Sequence, residues 1–157
     1  YDLVASRVDW YDGKKIIGET LLYGDVNKER ILNGSPIVHP SIMIRKNAIK
    51  DIGGYLEYDR CEDYATWIEL FIKGKKMYVL QEKLLRYHLS LNDYKKRTLK
   101  MRMGYFKMLR EEYIKLNPSV IQLVKMYLKS FLAGILPAKI MYSYHKRKNN
   151  KRHFTMS

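Results

Sequence analysis

A carboxylate pair at the start of a helix is the feature that most restricts what this chain can fold into. Glu62 and Asp63 follow a Gly53-Gly54-Tyr55 turn and open an apolar run with helical spacing. Trp67 comes four residues after Asp63, so the two side chains share one helical face. Adjacent carboxylates that share a face with a tryptophan are hard to explain as solvated surface, and they indicate a site.

The rest of the chain alternates between strand-like and helix-like segments, which predicts an α/β fold with a mixed sheet flanked by helices. Gly53, Gly74, Pro118 and Pro137 mark where helices end or break. The predicted elements are a strand at 3–10, a turn at 12–15, a hairpin strand at 16–19, a loop or short helix at 24–34, a buried strand at 37–44, a helix at 45–52, a helix at 62–73, strands at 77–80 and 84–88, and helices at 92–115 and 120–136.

Charge and cysteine content narrow the class of protein. The 30 Lys and Arg residues exceed the 16 acidic ones by 14, which favours nucleic acid, nucleotide-sugar phosphates or an anionic membrane as partner. A single cysteine, Cys61, excludes an internal disulfide framework and a cysteine-rich zinc site, and it fits the cytoplasm. The chain starts at Tyr1, already in a strand-like run, so we expect it to be a piece of a longer protein.

Several groups of residues in one order resemble family 2 glycosyltransferases of the GT-A fold, a group that builds bacterial surface polysaccharides. The resemblance covers residues 1–92 and matches the C-terminal, acceptor-side half of that family. The residues that carry it are the run His39-Pro40-Ser41-Ile42-Met43-Ile44-Arg45-Lys46, the turn Gly53-Gly54-Tyr55, the run Glu62-Asp63-Tyr64 with Trp67, and the run Leu84-Leu85-Arg86-Tyr87-His88-Leu89-Ser90.

The resemblance implies a role for each carboxylate of the pair. Asp63 would be the general base that takes the proton from an acceptor hydroxyl, in a displacement that inverts the anomeric carbon. Glu62 would orient the acceptor or the neighbouring loop, and its negative charge would raise the pKa of Asp63. The donor would be a nucleotide-diphosphate sugar, and the acceptor a glycan or a lipid-linked sugar.

The resemblance also assigns weaker roles around the pair. Trp67 and the turn residues Gly53, Gly54 and Tyr55 would contact the acceptor. His88 and His39 would help with the donor diphosphate or its metal.

The family's metal motif is missing from this sequence. In that family an Asp-x-Asp motif holds Mg²⁺ or Mn²⁺ against the diphosphate, and it precedes the region matched here. No such motif occurs in this chain. We therefore expect that the donor-binding half is absent, and that the chain alone transfers little or no sugar.

Structural explanations compete with each functional one. Glu62 and Asp63 suit the first turn of any helix, because acidic side chains interact favourably with the helix dipole there. Trp67 fits a core as well as an acceptor platform, His39 fits a structural hydrogen bond, and Gly53-Gly54 can simply cap a helix. Cys61 lacks an evident His partner and is predicted to be a bystander.

The C-terminal part predicts contact with a membrane surface. No acidic residue follows Glu112, and apolar residues surround most of 120–136 apart from Lys125 and Lys129, which prevent a clean transmembrane span. We expect a helical extension at 93–144 that lies in the membrane interface and a loose basic tail at 145–157. The enzyme would then be peripheral to the inner face of the plasma membrane. Alternatives are a nucleic-acid-binding or membrane-binding module without catalysis, and a degenerate scaffold.

Overall fold

The computed structural model describes residues 1–59, 61–95 and 99–143, and it confirms the α/β class with a mixed sheet flanked by helices. This arrangement is consistent with part of a nucleotide-sugar-transferase-like fold. The strands are β1 (Leu3–Tyr11), β2 (Ile16–Glu19), β3 (Gly24–Asp25), β4 (Met43–Ile44) and β5 (Met77–His88). The helices are α1 (Lys28–Leu32), α2 (Lys46–Lys50), α3 (Glu62–Ile72), α4 (Leu91–Lys95), α5 (Leu99–Glu111) and α6 (Val120–Ile135), with 3₁₀ turns at His39–Ser41 and Tyr113–Leu116.

Two long strands form the centre of the sheet. β1 runs parallel to β5, with Leu3 opposite Met77 and Tyr11 opposite His88. The order is β2-β1-β5-β3, and β2 and β3 are antiparallel to their neighbours. β4 also pairs antiparallel with β1, where Leu3 faces Ile44. The sheet therefore places the start of β1 against the segment that carries His39.

One buried cluster unites the sheet with helices from both ends of the chain. α3 contributes the fully buried Trp67, Ile68 and Leu70, which pack on β1 and β5. The C-terminal helices join the same cluster through Met108, Leu109, Tyr113, Leu116 and Met126. The domain boundary between residues 92 and 93 stays a prediction. In the structure, the helices after this boundary pack into the same core as the sheet.

The predicted buried strand at 37–44 is wrong over most of its length. Residues His39–Ser41 form a 3₁₀ turn, and only Met43–Ile44 pairs with the sheet. Pro40 has no N–H for a ladder bond and fixes its own φ, which suits the start of a tight turn. The turn closes with a Ser41 N–H to Val38 carbonyl bond of 3.0 Å.

The other helices and strands follow the sequence pattern with shifted bounds. The predicted strands at 77–80 and 84–88 are one continuous strand, β5. The predicted helix at 92–115 ends at Glu111, and the 3₁₀ turn Tyr113–Leu116 follows it. Asn117 closes that turn in the left-handed conformation, at φ 50°. Residues 96–98 and the predicted tail at 145–157 lie outside the described residues.

Candidate active site

The carboxylate pair lies at the first turn of α3, as its sequence position predicts. Glu62 and Asp63 are the first two residues of the helix, and both are half-buried. The Asp63 Oδ1 accepts the backbone N–H of Tyr64 at 2.7 Å. This bond occupies one carboxylate oxygen with an N–H that the helix start leaves unpaired. Asp63 thus stabilises the start of α3 through one of its carboxylate oxygens.

Three aromatic rings form a cluster near Asp63, whose charge interacts with His39 and Tyr55. The Nε2 of His39 lies 3.1 Å from the hydroxyl of Tyr55, and their ring centroids are 5.4 Å apart. Trp67 meets both rings edge-on, at 5.7 Å from His39 and 6.4 Å from Tyr55. The structure therefore brings together four of the residues that the sequence proposed from separate segments.

The rings differ in how far solvent reaches them. Trp67 is fully buried, whereas 41% of Tyr55 is exposed. The Trp67 Nε1 donor is buried and has no hydrogen-bond partner among the described residues. Tyr55 is thus the most exposed of the three rings, His39 is half-buried, and Trp67 is closed to solvent.

The surroundings of Asp63 raise its pKa above the ordinary value of 3.8. Burial of the carboxylate is the main cause, and the negative charge of Glu62 adds to it. The Tyr64 N–H bond and the nearby His39 act in the opposite direction. Burial and the Asp63 charge also raise the pKa of the Tyr55 hydroxyl, so this phenol stays protonated and able to donate. The Asp63 carboxylate is thereby a stronger base than a free aspartate.

Two glycines shape the turn that carries Tyr55. Gly53 and Gly54 have φ values of 83° and 104°, which L side chains rarely adopt. Their N–H groups bond the carbonyls of Lys50 and Ile49 at 3.0 Å each, the pattern of a Schellman helix end. The glycines end α2 and turn the chain so that Tyr55 faces His39.

Thr66 connects this turn to α3, a role that the sequence did not reveal. Its Oγ1 donates to the Glu62 carbonyl at 2.6 Å and accepts the Leu56 N–H at 3.4 Å. The side chain is fully buried. A threonine within a helical stretch is common, and its sequence position does not show that its hydroxyl bonds to the Leu56 N–H.

A second connection runs from the same loop to the C-terminal helices. The Tyr58 hydroxyl lies 2.9 Å from carboxylate oxygens of both Glu111 and Glu112. Lys115 joins Glu112 to Glu69 of α3, with N–O distances of 2.6 and 2.5 Å. The adjacent Glu111-Glu112 pair in the sequence gave no sign of its bond to Tyr58, because Tyr58 is 53 residues from Glu111 and 54 from Glu112.

α5 covers the loop immediately before the carboxylate pair. A Cβ atom added at Gly104 would lie 2.8 Å from both the Cβ and the carbonyl oxygen of Asp59. The helix therefore passes so close to the loop backbone that only a glycine fits at this position. The Tyr105 ring stacks on Tyr64, with centroids 6.4 Å apart. Tyr64 also donates to the Ile31 carbonyl at 2.5 Å. A glycine inside a helical run was the available sequence signal for this close approach.

Cys61 is unsuited to nucleophilic chemistry. Its side chain is buried, and burial raises the pKa of the thiol to about 12, with further contributions from Asp63, Glu62 and Asp59. A thiol held in the protonated form is a poor nucleophile.

The structure places His88 at a different end of the sheet. His88 ends β5 and lies beside Tyr11, with centroids 6.2 Å apart, and near Gly13 of the β1–β2 turn. Met77, which shares the buried cluster of Trp67, lies at the other end of β5, about 36 Å along the strand. The fold thus leaves His88 outside the group around Asp63.

The described residues do not fit a metal ion. Across 1–59, 61–95 and 99–143, His, Cys, Asp and Glu side chains nowhere gather in a group of three or more that could hold one.

Comparison with known proteins gives one relevant similarity. The chain is 23% identical over 151 residues to a Bacillus subtilis (strain 168) protein named "Putative glycosyltransferase EpsE". The match covers 94% of this chain and 54% of the relative, so the chain spans about half the relative's length. No protein-family profile and no solved structure matches the chain. The similarity supports a glycosyltransferase relationship for nearly the whole of this sequence.

Proposed function

We propose that this chain is the acceptor side of an inverting family 2 glycosyltransferase of the GT-A type. The observation that supports this most is the half-buried Asp63, with its raised pKa, beside the exposed Tyr55 ring. Sugar-binding sites combine an aromatic surface with hydrogen-bonding groups, and a hydroxyl nucleophile needs a nearby base. The name of the Bacillus relative agrees with this class of enzyme.

In the proposed reaction, Asp63 removes the proton from an acceptor hydroxyl while that oxygen attacks the anomeric carbon of the donor sugar. The new C–O bond forms as the bond to the nucleoside diphosphate breaks, and the diphosphate leaves with the electron pair. Glu62 orients the acceptor and raises the pKa of Asp63. The donor is a nucleotide-diphosphate sugar, and the acceptor is a glycan or lipid-linked sugar of a surface polysaccharide.

Tyr55, held by His39, is the proposed acceptor contact. The Tyr55–His39 hydrogen bond of 3.1 Å fixes the ring, and the buried Trp67 supports it from below. A sugar that stacks on this ring would bring one hydroxyl toward Asp63. Gly53 and Gly54 allow the turn to take this shape.

The test is transfer activity in the full-length enzyme, including its donor-binding part. Asp63→Asn keeps the shape of the side chain but removes the base, so we expect kcat to fall by about 10²–10⁴-fold. Glu57→Gln on the same loop is exposed and serves as the matched control, with activity near that of the parent. Retention of full activity by Asp63→Asn would overturn the assignment of the base.

A further inference from the structure

The outward face of α6 consists entirely of apolar side chains. At 100° per residue, the side of this helix opposite its buried Met126 collects seven residues, of which each is between 45% and 80% exposed. This outward face of α6 comprises Val120, Ile121, Val124, Leu128, Phe131, Leu132 and Ile135.

The inward side of the same helix already supplies its packing against the core. Met126 and Ser130 are buried, and Leu123 and Tyr127 pack on the main cluster. Tyr127 stacks on Phe106 of α5, with ring planes within 5° of parallel. The outward face is therefore not needed to hold α6 in place. A continuous apolar face of this kind marks a binding surface rather than a solvated one.

Positive charge flanks this face. Lys125, adjacent to Leu132 around the helix, and Lys139, four residues after the end of α6, are both exposed. The sequence after Glu112 contains nine Lys and Arg residues and no acidic residue. The last five of them are Lys146, Arg147, Lys148, Lys151 and Arg152. An apolar helical face within a stretch of sequence that carries basic and no acidic residues is complementary to a lipid surface, which has an apolar interior and negatively charged headgroups.

We propose that the outward face of α6 docks on an anionic lipid interface. None of the helices formed by the described residues is long and apolar enough to cross a membrane, so α6 would lie in the interface plane with its apolar face among the acyl chains. Basic residues near anionic headgroups add to the attraction. A second copy of this chain fits less well, because a symmetric pairing would bring two basic flanks together. The proposal concerns binding only and does not depend on the proposed transfer reaction.

The experiment is sedimentation of the full chain with vesicles of phosphatidylcholine alone and with added phosphatidylglycerol. We expect binding to the anionic vesicles, weakened by salt. The double variant Leu128→Ser/Phe131→Ser should lose at least about tenfold in affinity, since two large apolar side chains leave the lipid. Leu84→Ser is the matched control, because Leu84 is 70% exposed in β5, and it should bind like the parent.

A second pair of variants tests the charge. Lys125→Gln/Lys139→Gln should lower the affinity for anionic vesicles by about tenfold or more. The proposal is overturned if the face variant binds vesicles as the parent does. It is also overturned if that variant changes the oligomeric mass without vesicles and leaves vesicle binding intact, because the occupant is then a second copy. Vesicle binding requires no donor or acceptor, so its failure is distinct from failure of the transferase proposal.

Discussion

The Asp63 carboxylate is subject to two opposing influences at the first turn of α3. Its bond to the Tyr64 N–H stabilises the ionised form, whereas burial and Glu62 disfavour it, and the pKa is raised on balance. A residue placed only to start a helix would be free to remain fully hydrated and easily ionised. Burial at this position therefore makes the Asp63 carboxylate more basic than a fully hydrated residue at a helix start.

The raised pKa predicts how stability depends on pH. The folded protein binds the Asp63 proton more tightly than the unfolded chain, so the contribution of this group to stability falls as pH rises from 3.8 through the folded pKa. At pH 7 the ionised Asp63 carboxylate therefore lowers the stability of the folded protein. We expect Asp63→Asn to be at least as stable as the parent at pH 7, with the advantage disappearing below pH 3.8, as measured by thermal unfolding at both pH values.

Glu57→Gln again provides the comparison, since its side chain is exposed. A clear loss of stability in Asp63→Asn at pH 7, without a loss in the control, would show that the carboxylate mainly serves the helix. In the transfer assay the acid limb of the pH profile should likewise lie above the value for a free aspartate.

Sequence alone could single out those residues of the candidate site whose side chains are chemically distinctive. Asp63, Trp67 and Tyr55 were visible because carboxylates and aromatic rings stand out at helical spacing or beside glycines. Thr66 and Tyr58 were not, because their importance lies in the partners Leu56 N–H and Glu112, and a single sequence does not show which distant groups meet.

At the scale of elements, α5 passes so close to the loop before α3 that the contact position requires a glycine. Gly104 in α5 passes Asp59 so closely that an added methyl would lie 2.8 Å from its carbonyl oxygen. The obstructing atoms include backbone, which cannot rotate away as a side chain can. The position of α5 therefore determines where the loop carrying Tyr55 and Tyr58 can lie.

Gly104→Ala tests this contact. In a solvated helix the change stabilises by about 1 kcal/mol. Here we expect destabilisation by about 1–3 kcal/mol, because the methyl forces the helix and the loop apart. Chemical denaturation gives the free energy of unfolding. Met103→Ala, at a neighbouring position that is 61% exposed, is the control and should change little. A higher free energy of unfolding for Gly104→Ala than for the parent would mean that α5 and the loop are not in close contact at this position.

Helices with strong spacing were predicted well, and the segment around Pro40 was not. β-branched residues at 37–44 favoured a strand, but a strand there also needs a free edge and a full set of N–H donors. Pro40 removes one donor, and the Ser41 hydroxyl donates to the Val38 carbonyl at 2.8 Å, which holds the turn. Local hydrogen bonds outweighed propensity in this case.

At the scale of the whole molecule, the C-terminal helices complete the core. Five of their side chains are buried with β1, β5 and α3: Met108, Leu109, Tyr113, Leu116 and Met126. The Tyr113 hydroxyl also donates to the Leu32 carbonyl at 2.8 Å, across 81 residues of sequence. The charged composition of 92–115 concealed this contribution, because alternating lysines and arginines hide a narrow apolar face.

Truncation tests the shared core. Five buried apolar side chains at about 1.5–3 kcal/mol each contribute an amount comparable to the usual stability of a domain, about 5–15 kcal/mol. We therefore expect residues 1–92 alone to show no cooperative thermal transition. A chain that ends at residue 143 keeps all five side chains and is the control. A cooperative transition in 1–92 would show that the N-terminal part folds as a domain by itself.

The parallel pairing of β1 with β5 also determines the order in which the protein can form. Leu3 lies opposite Met77, 74 positions later, so β1 has no long partner until β5 has been synthesised. Contacts between such distant segments slow folding, because a large loop must close first. Until then β1 offers its backbone edge to other chains, and newly made protein is most exposed to aggregation during that interval.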